Sequence, residues 1–168
     1  MRIVLHDSSA ASVELLAEAS DLAIGVFRSA GIEVAMAKGE QTRGCTSNAS
    51  DHFCVQVLLR PRHPEFAPGA RRSMGVALAA DKNRAVVSVY LDAVTDVARR
   101  YGLPLGRVLG IAIAHEIGHV MLPPPSHSPA GIMQPSWEGD DLRHAAGGDV
   151  AFTDRQGAMM RERLINRP

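Results

Sequence analysis

His115-Glu116-Ile117-Gly118-His119 sets two imidazoles four positions apart, with a carboxylate directly after the first. On a helix, residues at that spacing share one face, so both rings can reach a single metal ion with the glutamate beside them. The residue types suit a hydrolytic zinc site. Neutral imidazoles hold Zn²⁺ without cancelling its charge, so the ion still lowers the pKa of a bound water to about 7. Glu116 is placed to take a proton from that zinc-bound water and pass it to a leaving amine. The bland alternative, two solvated histidines on a surface helix, conflicts with the flanks. Leu109, Ile111, Ala112, Ile113, Ala114, Ile117, Val120 and Met121 make the segment apolar nearly all round, which predicts a buried helix. Imidazoles and a carboxylate inside such a helix need partners, because an unpaired buried charge is costly. A metal ion supplies one.

A catalytic zinc site usually takes three protein ligands and keeps a position for water. Pro123-Pro124-Pro125 must end the helix, since proline lacks the amide proton and clashes with the preceding turn. The chain then turns back, and His127 is the first residue able to ligate. Glu138 is its rival, at a distance from His119 similar to that of the glutamate ligand in the thermolysin-like clan. Pro135-Ser136-Trp137-Glu138-Gly139-Asp140-Asp141 reads as a loop, where Glu138 could equally be the wall or rim of a cleft. Asp140 and Asp141 read as solvated loop acids.

HEIGH, a tight turn, a third histidine followed by serine, and then Gly131-Ile132-Met133 together resemble the metzincin clan of zinc metallopeptidases, and within it a small bacterial group. The clan's pattern is H-E-x-x-H-x-x-G-x-x-H, with a methionine turn beneath the metal. His115, Glu116 and His119 match in register, and Met133 resembles the Met-turn residue. Leu122 stands where the clan has its glycine, and the third histidine comes two residues late, so a longer proline loop replaces the glycine turn. The resemblance implies a single catalytic domain over residues 1–168 that holds one zinc ion through His115, His119 and His127. It implies an extended peptide or protein substrate lying antiparallel to an edge strand that contains Gly75, Val76 and Ala77. It further places Pro135 and Trp137 along the primary specificity pocket. Two other readings remain open: a non-catalytic zinc-dependent peptide-binding module, and an amidase acting on a non-peptide substrate.

Around this helix the periodicities predict an α+β order. Arg2 to His6 reads as a strand and Ser12 to Ala30 as a helix stopped by Gly31. Strands follow at Ile32 to Ala37, Phe53 to Leu59, Met74 to Ala79 and Ala85 to Tyr90, with proline-punctuated loop between the second and third of these. A short helix from Asp92 to Tyr101 leads through Gly102-Leu103-Pro104 into the active helix, Leu105 to Leu122. Thr153 with Gln156 is a capping box opening a last helix that runs to Asn166. The expected architecture is a mixed, twisted β-sheet packed on the N-terminal helix and the buried active-site helix, with a C-terminal helix. Gly118, in mid-helix, is expected to permit close packing.

Composition excludes several classes. Eighteen basic and 18 acidic residues balance to a net charge of zero, and Arg71-Arg72 and Arg99-Arg100 are isolated pairs, so no nucleic-acid partner is expected. No apolar run approaches the roughly 20 residues that span a bilayer. The first residues lack the apolar core of a signal peptide. Cys45 and Cys54 are expected to pair as a disulfide, which favours an exported or periplasmic location. The alternatives are two free thiols in the cytoplasm or a structural metal site shared with His52.

Overall fold

The computed structural model describes residues 1–39, 45, 53–61, 73–80 and 83–166. His52, the proline-rich stretch after Pro61 and the turn residues Asp81 and Lys82 lie outside them.

Five strands form one mixed sheet: β1 (Arg2–Asp7), β2 (Ala35–Lys38), β3 (Cys54–Arg60), β4 (Gly75–Ala80) and β5 (Arg84–Tyr90). Their spatial order is β2-β1-β3-β5-β4, parallel throughout except for β4, which runs antiparallel to β5 along one edge. In register, Ile3, Val55 and Ala85 align, as do Leu5, Val57 and Val87. All six are buried in the same hydrophobic cluster as the helices, which is why the strands are so rich in β-branched residues. Val76 and Leu78 of β4 remain 36% and 48% exposed.

Five helices occur among the described residues: α1 (Val13–Ser29), α2 (Leu91–Tyr101), α3 (Leu105–Met121), α4 (Gly139–Gly147) and α5 (Asp154–Ile165). Ser12 caps α1 by accepting the Leu15 amide proton, and Leu16, Ala19, Leu22, Ala23, Val26 and Phe27 bury one stripe of it against α3. Burying each larger side chain of that stripe contributes about 1.5–3 kcal/mol. Helix α3 is buried on nearly every side, as its sequence requires. None of the helices is long and apolar enough to cross a membrane.

The observed elements match the predicted ones to within a few residues, with one exception. The segment expected to be loop around Asp140 and Asp141 enters α4, which puts both acids in a helical first turn. Two glycines and weak periodicity hide this helix in the sequence. Tertiary contacts support it: Leu142, Ala145 and Ala146 are buried, and Arg107 of α3 donates from Nε to the Ala146 carbonyl at 2.6 Å. Strand β2 also begins later than expected, at Ala35. Cys45 and Cys54 are joined in a disulfide with Cα atoms 5.8 Å apart, and Cys54 opens β3, inside the strand expected from Phe53 to Leu59.

Candidate metal centre

Helix α3 runs unbroken to Met121, and Leu122 leaves it in an extended conformation before the three prolines. The chain reverses there and returns His127 to the open side of the helix. Ring centroids of His115 and His119 are 4.8 Å apart, those of His119 and His127 4.7 Å, and those of His115 and His127 5.5 Å. One nitrogen from each ring lies within 4.8 Å of the other two, close enough for all three to hold one metal ion. His115 and His119 are half-buried and His127 is exposed.

The far nitrogens explain why the rings face inward. His115 Nδ1 stands 2.8 Å from the Ile132 carbonyl oxygen, which can only accept, so Nδ1 carries the proton and Nε2 is bare. His119 Nδ1 stands 2.6 Å from Ser126 Oγ, which accepts its proton in the tautomer that bares His119 Nε2. The two Nε2 atoms are then 3.1 Å apart with lone pairs converging. Two nitrogens on one tetrahedral zinc ion would stand about 3.3 Å apart, so the spacing and the donor set fit a metal ion. Burial holds His115 below the usual imidazole pKa, with the Ile132 hydrogen bond opposing it. Burial, followed by the neighbouring His115 and His127, holds His119 down at about 4. At neutral pH both rings are in the neutral, ligating form.

Glu116 is 6% exposed, and burial pushes its carboxyl up to about 8 in the metal-free protein. Its side chain lies under β4, where a Cβ on Gly75 would come within 2.6 Å of Glu116 Cγ and 2.7 Å of the Ser88 carbonyl. Only a glycine leaves room for the carboxylate there.

The Gly131-Ile132-Met133 turn supports the site from two directions. Ile132 supplies the carbonyl for His115, while the fully buried Met133 fills the notch over Gly118, whose Cβ would fall 2.2 Å from the sulfur. Gly118 therefore permits close packing, as its mid-helix position suggested. A cleft of about 880 Å³ opens beside the histidines, between α2 and the segment after Met133. Its lining includes His115, Glu116, Met74, Pro135, Trp137 and Glu138. Glu138 is exposed at the N-terminus of α4, on the cleft and outside the histidine cluster. Gly75, Val76 and Ala77 lie on the edge strand, with Gly75 turned toward the glutamate.

Sequence reasoning did not identify the Ile132 carbonyl, Ser126 or the Gly75 notch. Their partners are distant in the chain, and only the serine, adjacent to His127, carried any local signal.

No family model matches the sequence, and no curated protein matches it. Among solved structures, the chain is similar to the solution structure of TM1509 from Thermotoga maritima, at 12% identity and a TM-score of 0.41, covering 98% of this chain and 89% of that one.

Proposed function

We propose that this protein is a zinc-dependent peptidase of metzincin-like type, hydrolysing peptide bonds with Glu116 as the proton shuttle. The observation that carries the reading is the convergence of three imidazoles beside a buried carboxylate at the mouth of a cleft. Among the described residues no fourth His, Cys, Asp or Glu joins the cluster, which favours a site with an open position over a closed structural one.

His115, His119 and His127 would hold the ion. When bound, zinc supplies a Lewis acid that acidifies water and polarises the scissile carbonyl. Glu116 accepts a proton from the attacking water as the new C–O bond forms, and then delivers it to the departing amine nitrogen as the amide C–N bond breaks. A nearby cation shifts the Glu116 carboxyl toward its ionised form, the state that can act as a base. Strand β4 offers an exposed edge beside Glu116 for antiparallel pairing with an extended substrate, and the Trp137-lined cleft accepts a side chain next to the scissile bond. The Cys45–Cys54 disulfide supports an oxidising compartment, and with it export.

Metal analysis of purified protein, paired with cleavage of a peptide library by wild type and Glu116→Ala, tests the proposal. The expected result is one zinc per chain in both proteins and cleavage by wild type alone. Cleavage undiminished in Glu116→Ala would overturn it; zinc with no cleavage of any peptide would leave a binding module.

A further inference from the structure

We propose that Gln156 is a positioning residue for the metal site, tying the start of α5 to the loop that presents His127. The inference rests on the metal reading above and extends it to a residue far from the ligands in sequence.

Gln156 is 7% exposed, and both ends of its carboxamide are engaged. Its Oε1 accepts from the Thr153 backbone N–H at 3.0 Å, one half of the capping box. A backbone N–H can only donate, so the amide orientation is determined and Nε2 faces the loop. Nε2 donates to the Ser126 carbonyl at 3.2 Å and to Ser128 Oγ at 3.1 Å. Ser128 Oγ gives its own proton to the Ala130 carbonyl at 2.7 Å and is therefore an acceptor for Gln156. His127 sits between these two anchored residues. Ser126 also engages His119 Nδ1 through its hydroxyl, so one buried carboxamide reaches the support of the second imidazole and both flanks of the third.

This matters because His127 is exposed and little packing restrains it. Its position is set by the loop backbone, and a loop held in place before the ion arrives loses less freedom on binding. A capping glutamine needs only its oxygen. The two donor protons are surplus to the helix start, and both are spent on the loop.

Glutamate at this position separates the two roles. Glu keeps the oxygen that serves the capping box but presents a lone pair to the Ser126 carbonyl where a proton had been. Zinc affinity would be measured by competition with a chromophoric chelator, and the melting temperature of metal-free protein alongside it. For Gln156→Glu the expected result is a zinc dissociation constant raised about 10- to 100-fold, together with a lower metal-free melting temperature, because the new carboxylate is buried against the Ser126 carbonyl. Gln156→Met, which removes the donor and the capping oxygen together without adding charge, should weaken zinc binding alike. Thr153→Ala, which damages the helix cap and leaves the loop bonds, should lower the melting temperature and keep zinc affinity near wild type. Wild-type affinity in Gln156→Met, or an equal loss in Thr153→Ala, would overturn the proposal while leaving the metal site standing. A wild-type protein that takes up no stoichiometric zinc would overturn both.

Discussion

Gly75 on the edge strand stands directly against Glu116 on the buried helix, with no room between them for a methyl group. The strand proposed to receive substrate and the residue proposed to move the proton are therefore in contact. Gly75→Ala should push the carboxylate aside and lower kcat about 100-fold, the scale of an ångström-sized misplacement. Zinc content should be unchanged, since no ligand moves. Turnover of a library-derived peptide together with metal analysis checks this, and wild-type kcat would show that Glu116 needs no such seat.

The notch at Gly118 makes an opposite pair of predictions for stability. Gly118→Ala would drive a methyl into the Met133 sulfur and should cost about 1–3 kcal/mol as overpacking. Met133→Leu conserves volume in the same place and should cost less than about 1.5 kcal/mol. Urea denaturation of both variants, metal-free, compares them directly.

Stability of the metal-free protein should fall as pH rises from about 6.5 to 8. The folded-state pKa of Glu116 is raised from 4.5 to about 8, so in that window the folded form binds more protons than the unfolded one and is penalised as they leave. The full effect above pH 8 is roughly 3–5 kcal/mol. His119, depressed to about 4, acts in the other direction and only below its ordinary value of 6.5, where stability is lost as pH falls. Denaturation in the presence of a chelator across pH 6.5–8 should show the decline in wild type and its absence in Glu116→Gln. Equal slopes in the two proteins would count against the buried acid.

Replacing both Cys45 and Cys54 by serine should destabilise the protein by about 2–3 kcal/mol, the loop-closure entropy of a crosslink between residues nine apart. Thermal melts of the double variant and of wild type with reductant should agree with one another, and both should fall below wild type without reductant.

His127→Ala should weaken zinc strongly while leaving the metal-free fold near wild type, because the ring is exposed and packs into no core. The corresponding change at Glu138 should leave zinc unaffected. Isothermal titration on the two variants separates them, and the reverse ranking would move the third ligand to the cleft rim.

What the sequence determined by itself was local. The spacing of His115, Glu116 and His119 needs only a helix to bring the groups together, and the apolar run around them ensures both helix and burial. The capping box at Thr153 and Gln156 was legible for the same reason, since its partners lie three residues apart. Strand positions followed from β-branched runs, and the disulfide from two cysteines with no other partner of their kind. The return of His127 to the helix depended on how the three prolines turn, which composition does not specify. Helix α4 owes its existence to Arg107 and to buried alanines rather than to its own propensity, so its periodicity was too weak to read. The seat of Glu116 under Gly75, the Ile132 carbonyl behind His115 and the Gln156 bonds to Ser126 and Ser128 came only with the tertiary structure. Each joins residues far apart in the chain, and hydrophobic periodicity records which face of an element is buried but not which distant atoms meet there.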